Sequence, residues 1–395
     1  MLTPADRQFI QDHLQADLHR LLLSANRYPG VQVPVAVAQI EAFRKVREKI
    51  PSWFRFDLLM PPLRSVEQAS SEETARFKAG LFSGKAMADL TGGMGVDSWF
   101  FSRQFNQVVY VEQQPQLVEI ARHNFDVLGA RNINAISANA EIFLKQPSVH
   151  FDLIYLDPGR RHAQKGRVFH LADCVPNVLE IKAELLEKAD RILIKTAPML
   201  DMHQAMQQLG SVSRTWVVSV DGECKEVLYL LEKNAPLIDE IPIEVVCLGS
   251  VAPGFQFTRA EEQAAEPVFS VPQQFVYEPD ASVLKAGAFK SFAMRFGLSK
   301  LHPNTHLYTS ETLVPNVPGR TFSVEAVLKY DRKALREVLP EGQANLAVRN
   351  FPDSVAAMRK KLGIRDGGEW YVFGVTDCTH RKILLLCRRV LDKTT

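Results

Sequence analysis

Cysteine is scarce: Cys174, Cys224, Cys247, Cys378 and Cys387 are the five in 395 residues, an odd number, scattered, with no CxxC pair. Neither a disulfide framework nor a zinc knot is expected, and a reducing cytoplasm is the compartment that fits. No apolar run reaches the roughly 18 residues of a membrane-spanning helix, so no membrane partner is expected. The opening MLTPADRQFI places Asp6 where a signal peptide needs an apolar core, which argues against secretion. An excess of one charge sign is also missing. Lys and Arg number 47 against 45 Asp and Glu, a formal net charge of +2, so affinity for nucleic acid has to come from local patches. His162 and His170 stand without clustered Cys or Asp, and no metal is expected.

What is present is a globular composition, 46% hydrophobic and 23% charged, long enough for two or three domains with cores of their own. In the first 60 residues Phe9, Ile10, Leu14, Leu18, Leu21 and Leu22 recur at helical steps, and Val37, Ile40, Phe43 and Val46 begin a second amphipathic stretch. Pro61-Pro62 marks a boundary. From about 84 to 233 short apolar runs alternate with helical patterns, as a parallel sheet with crossover helices requires. Strands are expected at 86–90, 108–112, 133–137, 153–156, 192–195, 216–220 and 227–231. The last two are too close for a helical crossover and should pair antiparallel. Seven strands ending in an antiparallel pair is the class I methyltransferase pattern, an α/β Rossmann-like sheet. No fold is assigned to 236–275. Residues 321–395 read as strand, helix, strand, helix, strand, strand, with helices at 333–339 and 354–362.

The most informative segment is Asp89-Leu90-Thr91-Gly92-Gly93-Met94-Gly95-Val96-Asp97, directly after the first strand. Glycines there let the chain turn tightly and bring bare backbone N–H groups against a ligand. Glu112 ends the second strand about 20 residues on, where an acidic side chain can accept both ribose hydroxyls of an adenosine. A nicotinamide cofactor and S-adenosylmethionine both satisfy that much. Asp89 would crowd a pyrophosphate but suits the ammonium of a methionine moiety. Ser98 stands where the dinucleotide fingerprint has Gly or Ala. Asn139 follows the third strand, placed to hydrogen-bond an adenine amino group, and Asp157-Pro158 closes the fourth strand at the same sheet edge.

These segments, together with Thr74-Ala75-Arg76-Phe77-Lys78, Asp157-Pro158-Gly159-Arg160-Arg161, Lys195-Thr196-Ala197-Pro198 and Gly222-Glu223-Cys224-Lys225-Glu226, resemble the motif series of class I S-adenosylmethionine-dependent methyltransferases with a C-terminal THUMP-like domain. The likeness continues through Tyr277-Glu278-Pro279-Asp280, Pro315-Asn316-Val317-Pro318-Gly319-Arg320 and Val348-Arg349-Asn350-Phe351-Pro352. The loop and Asp157-Pro158 are also similar to those of trimethylguanosine cap synthases and other RNA base methyltransferases. The resemblance implies a helical N-terminal domain over 1–62 and a methyltransferase domain over 63–235. It further implies a connecting region over 236–320, with a small α+β element of ferredoxin-like candidate form, and an α+β THUMP-like domain over 321–395.

It implies methyl transfer to a nitrogen of structured RNA, a tRNA or rRNA. The cofactor set it implies is Lys78, Asp89, Thr91, Gly92, Gly93, Met94, Gly95, Val96, Asp97, Glu112, Asn139, Ala140 and Asp157. Asp89 and the 91–97 backbone would hold the methionine part, Glu112 the ribose and Asn139 the adenine. Asp157, Pro158, Arg160, Arg161 and Lys195 form the catalytic set. Gly159 and Arg160 occupy the last two places of a tetrapeptide that in many amino-methyltransferases ends in proline and an aromatic, so the usual base-stacking platform is missing there. Arg160, Arg161 and Lys195 read equally well as substrate contacts or as structural ion pairs. A nicotinamide-dependent oxidoreductase and a non-catalytic RNA-binding protein with a retained cofactor pocket are the competing readings. Residues 321–395 hold 14 Lys and Arg against 9 Asp and Glu, a local surplus of +5. Arg332-Lys333, Arg359-Lys360-Lys361, Arg381-Lys382 and Arg388-Arg389 could form a phosphate-tracking face or simply be solvated surface.

Overall fold

A computed structural model describes residues 2–147, 150–160, 170–252 and 254–390. Helices Pro4–Asp12, Leu18–Leu23, Val33–Lys49 and Leu63–Gln68 form the N-terminal region. Asp6 contributes twice to it. It completes a capping box with Thr3, and its other oxygen accepts the Gln32 N–H at 2.8 Å, tying the first helix to the turn before the third.

Strands β1 (Gly84–Asp89), β2 (Phe105–Glu112), β3 (Ile133–Ser137), β4 (Leu153–Leu156) and β5 (Ile192–Thr196) alternate with helices. Each neighbouring pair among them runs parallel. The central β4 and β5 are buried throughout their apolar residues, as strands covered on both faces must be. β6 (Val212–Val220) and β7 (Glu223–Leu231) are joined by Asp221-Gly222 alone, both with positive φ. That is the chemistry of a two-residue hairpin turn, and it makes the pair antiparallel.

The sheet then exceeds the expected seven strands. β8 (Ile243–Leu248) lies parallel to β6, β9 (Phe255–Phe257) adds antiparallel to β8, and the order becomes β9-β8-β6-β7-β5-β4-β1-β2-β3. The segment Ile-Glu-Val-Val-Cys-Leu is a β-branched apolar run, and its place beside β6 explains why that strand is not a sheet edge.

The remaining strands form a second sheet: β10 (Phe275–Pro279), β11 (Ser299–His302), β12 (Thr305–Ser310), β13 (Gly319–Lys329), β14 (Asn345–Arg349), β15 (Trp370–Thr376) and β16 (Lys382–Val390), in the order β11-β12-β10-β13-β16-β15-β14. Helices Arg332–Val338 and Val355–Leu362 cover one face, packing Leu335, Leu339, Met358 and Leu362 on Leu384, Leu386 and Val372. On the other face Val276, Leu301, Leu307, Phe322, Phe373 and Leu385 form a core of their own. The sheet curls around it, so that Thr305 of β12 donates its hydroxyl to the Thr376 carbonyl of β15 at 2.7 Å. The chain divides into two compact units, Met1–Ser213 with Leu228–Ala235, and Arg214–Val227 with Pro236–Thr395.

Candidate active site

The loop after β1 is shaped first by its own protein. A Cβ on Gly92 would lie 2.2 Å from the Tyr110 ring, and one on Gly95, whose φ is +91°, would lie 2.7 Å from Phe125. Those two glycines are required by packing. Gly93 is different: with φ +53° it has open space above it, the nearest atom being the Thr91 carbonyl oxygen at 3.8 Å. The part of the loop that can meet a ligand closely is therefore its tip. Tyr110 donates its hydroxyl to the Gly93 carbonyl at 2.6 Å, and the Gly93 N–H donates to Glu112 Oε2 at 3.0 Å. Glu112 Oε1 accepts from the Gln114 N–H at 2.8 Å. A carboxylate offers about four lone-pair sites, so roughly two remain on Glu112 for hydroxyl donors.

Beneath the loop lies a network of buried charge. Asp89, fully enclosed, accepts from Ser98 Oγ at 2.6 Å and from the Thr91 N–H at 3.0 Å. Burial pushes its carboxyl up to about 7; the Ser98 hydrogen bond opposes this, and the charges of Asp97 and Asp157 add to it. Asp97 pairs with the wholly buried Lys78 at 3.2 Å and accepts from Ser70 Oγ at 2.7 Å and Tyr155 Oη at 3.1 Å. Burial alone would raise the Asp97 carboxyl, but Lys78, Lys195 and the Ser70 hydroxyl hold it below the ordinary carboxylate range. Asp157 is reached from the same loop, its N–H donating to Thr91 Oγ1 at 2.6 Å, and its carboxylate pairs with Lys195 from the end of β5.

The structure thus brings Lys78, Asp89, Thr91, Gly93, Asp97, Glu112, Asp157 and Lys195 into one connected set. Met94, Val96, Ala140 and Pro158 are buried beside it in sequence. Asn139 caps the helix Ala140–Lys145, its Oδ1 accepting from the Ile142 N–H at 2.7 Å. Arg160 lies in a two-residue strand, Gly159–Arg160, paired antiparallel with Cys174–Val175, while Arg161 and His162 fall outside the described residues. Sequence reasoning missed Ser70, Tyr110 and Tyr155. The two tyrosines carried a faint signal, being polar-tipped aromatics on strands otherwise made of aliphatics, whereas Ser70 carried none. The Thr196 hydroxyl on β5 is buried and has no hydrogen-bond partner among the described residues. Those residues contain no group of three or more His, Cys, Asp or Glu that could hold a metal, and no helix long and apolar enough to cross a membrane.

Comparison with known proteins gives the family. The chain is 34% identical to the “putative methyltransferase from Porphyromonas gingivalis W83”, whose crystal structure covers 99% of this chain and 100% of its own at a TM-score of 0.87. Two uncharacterized S-adenosylmethionine-dependent methyltransferases of Mycobacterium tuberculosis, from strains CDC 1551 / Oshkosh and ATCC 25618 / H37Rv, are each 24% identical over 76% of this chain and 80% of theirs. The chain belongs to the S-adenosylmethionine-dependent methyltransferases. Within that family frame, residues 77–215 match the family described as conserved hypothetical protein 95, residues 275–318 a ferredoxin-like domain, and residues 319–389 the THUMP domain-like family. Membership replaces the oxidoreductase reading. The donor set fits the family's cofactor: Asp97, Asp157 and Glu112 outnumber Lys78 and Lys195, and a negative surplus suits a molecule whose sulfonium and ammonium charges exceed its single carboxylate.

Proposed function

We propose that the chain transfers the methyl group of S-adenosylmethionine to a nitrogen of structured RNA, a tRNA or rRNA, with Asp157 and Lys195 at the reacting end. The observation that carries the reading is the position of Asp157. It is tied to the cofactor loop through Thr91 and held by Lys195, yet its side chain remains 31% exposed while Lys78 and Asp89 beside it are closed off. The match of residues 319–389 to the THUMP domain-like family supports RNA as the acceptor class.

The cofactor supplies an already activated methyl group, so this chain's tasks are to bind, orient and exclude water. Glu112 holds ribose hydroxyls with its uncommitted lone pairs, and the Gly93 tip admits the ligand closely. Asp157 accepts a hydrogen of the acceptor nitrogen at its carboxylate and, with the Pro158 carbonyl, aims the lone pair at the methyl. Lys195 keeps that carboxylate in place. Gly159 and Arg160, the two residues after Pro158, offer no aromatic platform, so RNA bases are held by other parts of the chain.

The test combines nucleoside mass spectrometry of RNA from a deletion strain with remethylation of that RNA by the purified chain. The wild type restores one missing methylated nucleoside, and Asp157→Asn lowers turnover by about 10²-fold or more while cofactor affinity stays within about threefold. Undiminished turnover removes Asp157 from the reacting end. A methyl found on carbon, or on protein, overturns the acceptor.

A further inference from the structure

Three motifs that the methyltransferase chemistry does not use, around Glu278, Arg320 and Arg349, converge in the second unit. Gly319 makes the convergence possible. Its φ is +131° and a Cβ there would lie 2.1 Å from the Glu278 carbonyl oxygen, so only glycine lets β13 start this close to β10. The register then sets Arg320 opposite Glu278 and Phe322 opposite Val276, on the face of the curled sheet's inner core. Arg349 ends β14 opposite Val375 of the same core. Arg320 donates with Nε and Nη2 to Glu278 Oε2, and Arg349 donates with Nη2 to Oε1.

One guanidinium would neutralise the buried carboxylate; two leave a fixed surplus of one positive charge. The Glu278 side chain is 5% exposed, but those of Arg320 and Arg349 are 44% and 35% exposed. Among the described residues Arg320 Nη1 and Arg349 Nε make no hydrogen bond, so donors from both forks remain available. Arg349 is further immobilised from behind. Asn350, with φ +50°, donates from Nδ2 to His302 Nδ1 at 3.1 Å and to Thr305 Oγ1 at 3.2 Å, and its carbonyl accepts from Thr376 Oγ1. Burial, with Lys300 and Arg349, drives the nearby His306 imidazole down to about 4. The rings of Phe322 and Tyr371 lie 5.7 and 5.9 Å from the Arg320 guanidinium, so an aromatic flank adjoins the charge.

We infer that Arg320 and Arg349, oriented by Glu278, form a subsite for an RNA phosphate. Planar forks with free N–H groups match a tetrahedral oxyanion, and prior immobilisation removes much of the entropy cost of binding it. Asn350 is a positioning residue for Arg349. The inference rests on the RNA reading above, and its test separates the two.

Binding of fluorescein-labelled unfractionated bacterial tRNA to the full chain is followed by anisotropy across a salt series. Arg320→Gln and Arg349→Gln are each expected to weaken binding about five- to tenfold at low salt and to flatten the log–log salt slope by about 0.7, with S-adenosylmethionine affinity unchanged. Arg320→Lys and Arg349→Lys keep the charge and the pairing with Glu278. They should retain the slope while losing part of the affinity, and they carry the test if the Gln variants do not fold. Wild-type binding that all four folded variants reproduce overturns the subsite. If the wild type binds no tRNA, the RNA reading fails by itself, and a titration with inorganic phosphate decides the subsite. Thermal stabilisation by phosphate that the variants lose retains it as a phosphate site, and equal or absent stabilisation in every chain overturns it.

Discussion

Two clusters of buried charge, one in each unit, carry opposite surpluses and differ in how much water reaches them. Around the glycine loop, Asp97, Asp157 and Glu112 exceed Lys78 and Lys195 while Asp89 keeps its proton up to about pH 7, and Lys78 and Asp89 are closed off from solvent. In the curled sheet a single buried Glu278 holds two arginines that remain more than one-third exposed. The first arrangement gathers a negative surplus around closed-off side chains; the second displays positive charge at a surface. Cost should follow burial. Removing one member of a closed pair leaves a charge with no solvent to turn to, whereas the half-exposed arginines can be rehydrated.

The largest expected effect follows from that difference. Lys78→Met strands Asp97 and should cost about 3–5 kcal/mol in urea denaturation, with Asp97→Asn in the same chain recovering most of it. Glu278→Gln, which loses a carboxylate only 5% exposed, should cost under about 2 kcal/mol because its two partners can be hydrated. Equal losses in the two variants would break the comparison.

Asp89 sharpens it through pH. Below about pH 3 its carboxyl is protonated whether the chain is folded or not. Between the ordinary value of 3.8 and the folded value of about 7, the folded chain keeps a proton that the unfolded chain has released. The stability this group contributes therefore falls as pH rises through that window and levels off above about 7. Asp89→Asn does not titrate and preserves the partners Ser98 and Thr91. Relative to wild type it should gain about 2–4 kcal/mol between pH 4 and pH 8, since each tenfold difference in proton affinity between the folded and unfolded chain is worth about 1.4 kcal/mol. The same variant should bind S-adenosylmethionine more weakly, and denaturant melts at the two pH values with calorimetry of cofactor binding check both. A gap that does not change with pH would mean Asp89 is charged in the folded chain.

Glu112 comes next. Its two backbone bonds shape the loop, and its remaining lone pairs are assigned to the ribose, so Glu112→Ala should weaken S-adenosylmethionine by about 1–3 kcal/mol in titration calorimetry without unfolding the chain. Unchanged affinity in the folded variant removes Glu112 from the site.

The parallel strands were legible because each is a short apolar run bounded by turn residues, and the antiparallel pair because residues 221–226 leave no room for a crossover; the structure shortens that gap to Asp221-Gly222. β8 was equally readable as Ile-Glu-Val-Val-Cys-Leu, but the prolines at 236 and 242 on either side of the preceding turn disguised it as loop. At the site, local spacing exposed Asp89, the glycines and Glu112. It could not expose partners brought by the fold: Ser70 meets Asp97 across 27 residues and Tyr155 meets it across 58. Nor could composition tell which basic residues of 321–395 are already paired.

That last point sets the smallest expected effect. Arg359 pairs with Asp366 at 2.6 Å and Lys361 with Asp353 at 3.7 Å, Lys361 also lying 4.1 Å from the Tyr330 ring, and Arg381 pairs with Asp377 at 3.0 Å. Each of these cations is matched by a carboxylate already subtracted in the count from sequence, so the local surplus of +5 lies on other basic residues. Arg320 and Arg349 share one carboxylate between them. Arg359→Gln together with Lys361→Gln should therefore change stability by less than about 1 kcal/mol, the usual worth of exposed ion pairs. It should also flatten the tRNA salt slope by less than Arg349→Gln alone, because a cation already neutralised by a carboxylate releases few counterions when phosphate arrives. Anisotropy measured on the two variants over one salt series makes the comparison directly. A steeper loss from the helix pair than from Arg349 would move the RNA contact from the inner face of the sheet to the helix Val355–Leu362.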